Sequence, residues 1–160
     1  MPLFPTGPVA DDALPRPAPV RDAAGALRVL RLAVSIPPQP ETLAFVLDVH
    51  GEGGVITLVS GTVQPDSVLS VAECIARAAE HVPRAAGLVL ATVRPGGCVL
   101  PGDVDRWLEA SDLVHQRGLL LLEWFVMADG RVWCPRDLLG EPQRWGSPAK
   151  RSTGAAEATG

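Results

Sequence analysis

Hydrophobic and polar positions first alternate at Leu30, Leu32, Val34 and Ile36, with Arg31, Ala33 and Ser35 between them. A period of two predicts a strand with one buried face, stopped by Pro37, Pro38 and Pro40. Residues 42–49 (TLAFVLDV) and 55–60 (VITLVS) are dense in β-branched and apolar side chains, and His50-Gly51-Glu52-Gly53-Gly54 between them suits a hairpin. Ser70 and Glu73 have the spacing of a capping box. Val71, Cys74, Ile75, Ala78 and Ala79 follow at helical intervals, which predicts a helix from Ser70 to about His81 with one buried stripe. Residues 87–93 (GLVLATV) form a continuous apolar run, the mark of a strand covered on both faces. After a loop over 94–102, a second helix starts near Asp103, turns Val104, Trp107, Leu108 and Val114 to the core and ends at Gly118. Residues 119–127 and 131–134 read as two further strands joined by the turn Ala128-Asp129-Gly130. This order predicts an α/β (α+β) fold, a mixed sheet with packed helices.

The chain has 160 residues, 47% hydrophobic and 20% charged, enough for one domain with a packed core. Six of its sixteen prolines fall in the first twenty residues, so 1–25 is expected to be an extended, mobile arm. The folded domain is expected over 26–140, and 141–160 as a C-terminal strap and tail, small and polar from 147 onwards. Trp145 is either an exposed contact residue or part of that strap. Fourteen Lys and Arg against eighteen Asp and Glu leave a net charge of -4, which disfavours nucleic acid as a partner. Three cysteines without a C-x-x-C make neither a disulfide framework nor a zinc knuckle and suit a reducing, cytoplasmic setting. Cys74 and Cys134 read as small core residues, and Cys98 has no histidine near it in sequence to make it a nucleophile. No signal-peptide pattern follows Met1, and the most apolar stretch, 118–127, is broken by Glu123 and short of the ~20 residues that span a bilayer.

The candidate chemistry lies in Leu90-Ala91-Thr92-Val93-Arg94-Pro95-Gly96-Gly97-Cys98-Val99-Leu100-Pro101-Gly102-Asp103-Val104-Asp105. This segment resembles a motif of the RadC branch of the JAB/MPN (JAMM) metallopeptidase-like family. There a buried strand ends in His-x-His-Pro-Ser-Gly, and Asp-Pro-x-Pro-Ser-x-x-Asp leads into a helix. Two imidazoles and the final Asp hold zinc with one position left for water, and an upstream Glu is the general base. Pro95, Gly97, Pro101 and Asp105 keep the family's spacing, so Asp105 stands in the place of the ligand Asp, and Glu41 resembles the base in placement. Gly61-Thr62 and the run Gly118-Leu119-Leu120-Leu121-Leu122-Glu123-Trp124 also resemble family segments. The resemblance covers 41–139 and implies a JAB/MPN-like, cytidine-deaminase-like fold.

The departures decide what chemistry the resemblance implies. Thr92 and Arg94 replace the two histidines, Gly102 replaces a Ser that helps stabilise charge on the substrate carbonyl, and Trp124 replaces a later His. A guanidinium stays protonated and has no lone pair for zinc. No catalytic residue, bound metal or cofactor is therefore expected, and Glu41 and Asp105 are vestigial. An Arg94–Asp105 salt bridge is expected in place of the metal cross-link; the alternative is an anion pocket built from Arg94, Thr92 and the Gly96-Gly97 turn. The implied function is a catalytically inactive binding or scaffold module with a protein partner. One alternative is a zinc-dependent JAMM metallopeptidase or isopeptidase, with Glu41 as base and Asp105 as ligand, recruiting His50, His115 or a partner's side chain to finish the site. A further alternative, a DNA-repair-associated accessory protein, predicts salt-sensitive DNA binding.

Overall fold

Helix α1 (Ala23–Ala33) occupies the stretch whose alternation predicts a strand, in a computed structural model that describes residues 18–145. The helical period wins because Ala26 and Leu30, one turn apart, are fully buried, while Leu32 and Ile36 are 89% and 95% exposed. Its buried side joins Ala23, Ala26 and Ala33 to Leu27, Val29 and Leu30, a helical spacing that the strand reading from Leu30 onwards does not include. Asp22 caps the helix, its Oδ1 accepting the Gly25 N–H at 2.7 Å. Residues 18–25, expected in the arm, thus belong to the fold. Val20 is buried and donates its N–H to the Gly51 carbonyl at 2.8 Å. A Cβ on Gly51 (φ +75°) would lie 2.2 Å from the Val20 oxygen, so this approach needs glycine. The rest of the expected arm, 1–17, and the end of the tail, 146–160, lie outside the described residues.

The expected hairpin is β1 (Glu41–Asp48) with β2 (Gly53–Ser60), antiparallel, Leu43 opposite Leu58. Helix α2 (Ser67–Ala79) starts three residues before Ser70, on a turn in which the Ser67 N–H donates to the Gln64 carbonyl at 3.0 Å. Ser70 is therefore interior and caps nothing, and Glu73 instead meets Arg77 at 3.2 Å. The earlier start rotates the buried stripe to Val68, Val71, Ala72, Ala76 and Ala79, leaving Cys74 and Ala78 exposed. Strand β3 (Ala85–Val93) is buried from Gly87 onwards, as its unbroken apolar run requires. Helix α3 (Asp103–Gln116) begins at Asp103 and ends before Gly118 (φ +83°), but Leu108 faces solvent and Ala110 takes its place in the core. Strands β4 (Leu120–Ala128) and β5 (Arg131–Trp133) are joined through Asp129 and Gly130, both at positive φ as a primed hairpin turn demands. A short helix, α4 (Pro135–Leu138), follows; no periodicity announces it.

The five strands form one mixed sheet in the order β2-β1-β3-β4-β5, with only β3 and β4 parallel. Ala44, Leu88, Leu90, Trp124 and Val126 pack with α2 and α3 on one face. Leu43, Phe45, Val89, Ala91 and Phe125 pack with α1 on the other, giving three layers. Strand β5 covers only the last residues of the β4 edge. Upstream, Arg144 donates to the Leu121 carbonyl at 2.8 Å, so residues after α4 act as a strap along that edge. Trp145 packs half-buried beneath it, and the Arg144 guanidinium lies 4.4 Å from the Trp107 ring centroid. Of the two roles open to Trp145, the structure shows the strap. Among the described residues, no helix is long and apolar enough to cross a membrane.

Candidate functional site

Strand β3 delivers Thr92 to the face covered by α2 and α3, level with Thr42 on β1 and Val126 on β4. The Thr92 hydroxyl accepts the Trp124 indole N–H at 2.9 Å, with both side chains buried. Thr92 and Trp124 thus satisfy each other. Arg94 leaves the end of the strand and forks onto Asp103, Nη1 to Oδ2 at 2.5 Å and Nη2 to Oδ1 at 3.0 Å. Its Nη1 also reaches the Cys98 carbonyl at 3.1 Å, and its guanidinium lies 5.9 Å from the Trp124 ring centroid. Arg94 therefore organises the loop over 94–102 from within.

Asp103 is fully buried and collects two further donors, the Leu100 N–H at 2.7 Å and Arg106 Nη1 at 3.2 Å. Arg106 Nε continues the chain to Asp66 at 2.8 Å, tying the start of α3 to the start of α2. Burial pushes the Asp103 carboxyl up, but the Arg94 fork, the Leu100 amide and Arg106 outweigh it and hold it below the ordinary aspartate value. The arrangement is a closed ion-pair network, each cation facing a carboxylate. Both Nη1 hydrogens and one on Nη2 of Arg94 are committed to Asp103 and the Cys98 carbonyl, so its charge is already matched by a buried carboxylate and the geometry favours the ion pair over the anion pocket.

The expected Arg94–Asp105 bridge is replaced by Arg94–Asp103. Two residues along a helix are ~200° apart, so only one of the two aspartates can face the strand, and Asp105 is exposed. The signal for the correct one was present: Asp103 is four residues before Trp107 and shares its buried stripe with Ala110 and Val114. A Cβ at Gly102 would lie 2.8 Å from Arg106 Nη1, so the glycine makes room for the guanidinium that reaches Asp103. Glu41 lies opposite Val93 in register, on the α1 face, whereas the residue opposite Thr92 is Thr42. Both Glu41 oxygens are engaged by Ser35, through its N–H at 2.8 Å and its hydroxyl at 2.7 Å. Glu41 and Thr92 thus sit on opposite faces of the sheet. His50 and His81 lie at the far end of β3, ~26 Å away along the strand, and His115 is ten residues or ~15 Å further along α3, so neither His50 nor His115 can join Asp105. The cavity beside Arg94, about 180 Å³, is lined by Thr62, Gln64, Pro65, Pro95 and Leu100 among others, with no carboxylate, histidine or cysteine.

A tetrahedral zinc centre does not fit these residues: the hydroxyl is spent on an indole, a guanidinium sits beside it, and the nearest carboxylate is held by two arginines. Among the described residues, no group of three or more His, Cys, Asp or Glu side chains is placed to hold a metal ion. Sequence reasoning missed a second buried pair, in which Arg136 Nε donates to Glu123 Oε2 at 2.9 Å. A glutamate inside an otherwise apolar strand was the available signal, since such a charge needs a partner. The chain matches no protein-family model, and no curated protein matches it significantly in sequence.

Proposed function

We propose that the chain is a catalytically inactive, RadC-like JAB/MPN domain that serves as a binding or scaffold module for a protein partner. The succession of hairpin, helix, buried strand, loop and helix over 41–139 is in keeping with that family resemblance. The observation that carries the absence of catalysis is the Arg94–Asp103 fork, which joins strand to helix where a metal would do so in an active member. A fixed positive charge there repels a divalent cation, and the Thr92 hydroxyl, which already accepts the Trp124 indole N–H, is a neutral oxygen outside the His, Cys and carboxylate set that binds zinc. No observation favours the zinc hydrolase reading. Three free cysteines are in keeping with a cytoplasmic setting, where thiols stay reduced.

The test is the metal content of tag-free protein after dialysis against excess zinc and then buffer. Substoichiometric zinc, with thermal unfolding indifferent to chelator, is the expected result. About one zinc per chain, or peptide-bond cleavage that a chelator abolishes, overturns the proposal.

A further inference from the structure

The two edges of the sheet are treated differently. The β4–β5 edge is shortened, strapped by Arg144 and flanked by the Glu123–Arg136 pair. Among the described residues, the β2 edge has no strap and no flanking buried ion pair. Over eight residues, Gly53 to Ser60, it carries no charge and no proline; one irregularity sets Gly54 and Val55 together opposite Val46, and the ladder from Ile56 to Ser60 is regular. Val55 is 69% exposed and Leu58 39%, on opposite faces of the same strand. Apolar residues flank it on both faces, with Asp48, Glu52 and Arg84 at its Gly53 end. Arg31 and Val34 line a cavity with Met127 and Arg131, which turns the other flank of α1, with Val29 and Leu32, towards β2. On the other face, Ile75, Ala78 and Val82 line an apolar groove of about 430 Å³ with β2.

We propose that β2 pairs antiparallel with β2 of a second copy of this chain, about a twofold axis through Thr57, to make a continuous ten-stranded sheet. The sequence of the strand selects this occupant. In an antiparallel pair, facing residues share a side of the sheet, so the register about Thr57 sets Val55 against Val59, Ile56 against Leu58 and Thr57 against itself. Each is a pair of β-branched or aliphatic side chains. Gly54 then faces Ser60, so the small residues meet at the ends and the bulky ones in the middle. Glu52 comes level with Thr62 of the second copy, and no like charges are opposed.

The strand with Val29, Leu32 and Val82 amounts to about a dozen residues a side, or on the order of 800 Å² in all at the ~30–40 Å² per residue of ordinary interfaces. That is small for a permanent dimer and fits a weak, reversible one, expected in the range of ~1–100 μM. The pairing stands on the β2 edge alone and is independent of the reading of Thr92 and Arg94.

Thr57→Cys, in a background with the exposed Cys74 and Cys98 changed to serine, tests the register. Cys134 stays inert, since burial and then the nearby Glu123 and Asp137 push its thiol up to about 12. At about 0.5 mM, well above the dissociation range, mild oxidation should convert most of the Thr57→Cys chain to covalent dimer. Val55→Cys in the same background should remain monomeric in denaturing gels, because its own copy lies ~14 Å away across the axis, beyond disulfide reach. Sedimentation equilibrium of the full chain should show a reversible dimer, and Thr57→Lys, which opposes two like charges, should show only monomer with unchanged circular dichroism and unfolding temperature. A monomer at about 0.5 mM, equal cross-linking at 55 and 57, or a Thr57→Lys chain that still dimerises overturns the proposal.

Discussion

Asp103 and Glu123 are both carboxylates with no exposed surface, both gripped by arginine, and their protons are displaced in opposite directions. Asp103 has four donors: both ends of the Arg94 fork, the Leu100 amide and Arg106. They overcome its desolvation and hold it low. Glu123 has Arg136 Nε and the Trp124 amide, the latter at 3.2 Å, and Asp137 lies near enough to oppose its charge. Burial dominates there, and the carboxyl is pushed up. The difference teaches that burial alone does not determine the worth of a buried ion pair. The number of N–H groups converging on the carboxylate decides whether its charge is welcome.

The largest expected effect is at Asp103. Asp103→Ala leaves Arg94 and Arg106 facing an empty place at the start of α3 and frees the Leu100 amide, and breaking a buried pair in this way costs ~3–5 kcal/mol. Urea denaturation measures it. A loss under ~1 kcal/mol would mean that the loop over 94–102 is held by other contacts.

The two carboxylates should also separate by the sign of their pH dependence. Asp103 is lowered in the folded state, so its contribution is fully present above the unfolded value of 3.8 and is lost as pH falls through the folded value. Glu123 is raised, so its contribution is largest below the unfolded value of 4.5 and is lost as pH rises through the folded value. The cost of Asp103→Asn should therefore shrink on acidification, and the cost of Glu123→Gln should shrink as pH rises above 4.5, each at no more than ~1.4 kcal/mol per pH unit. Parallel slopes for the two variants in urea titrations between those limits would contradict the contrast.

A smaller loss is expected at the neutral end of the same site. Thr92→Val keeps the shape of the side chain but leaves the buried Trp124 N–H without an acceptor, at ~1–2 kcal/mol. Thermal unfolding should fall by several degrees, ~4–8 °C per kcal/mol for a domain of 60–100 residues and less for a larger one. An unchanged midpoint would show that the indole finds another acceptor.

How much of this was legible follows from which forces act locally. The hairpin of β1 and β2, the buried β3 and the Asp129-Gly130 turn were readable because β-branched runs and positive-φ turn residues act over a few neighbours. Helix α1 was not, because Leu30, Leu32, Val34 and Ile36 satisfy a strand period while the earlier half of the buried stripe, Ala23, Ala26 and Leu27, lies in a stretch that prolines upstream mark as an arm. The start of α2 was misread because Ser70 and Glu73 match a cap by spacing, whereas the Gln64–Ser67 turn that launches the helix has no such signature. At the site, Thr92 and Arg94 were found from a motif, but a motif has no direction around a helix. Glu123 and Arg136 are thirteen positions apart and meet only when the β4–β5 hairpin carries α4 back to the β4 strand.

Asp105 is the sharpest small test of that distinction. Motif spacing makes it the retained ligand, two residues from the aspartate that the fold uses. If position in the motif mattered, its loss would resemble that of Asp103. The structure instead leaves it on the exposed side of α3, in none of the ion pairs among the described residues. It still sits in the first turn, where a carboxylate gains from the helix dipole by ~0.3–1 kcal/mol. Asp105→Ala should therefore cost about 0.5 kcal/mol, several-fold less than Asp103→Ala, with the difference preserved at high salt because the Asp103 pair is buried and poorly screened. Equal losses for the two alanine variants in urea denaturation would return Asp105 to the site and break the assignment of Asp103 as the residue that joins strand to helix.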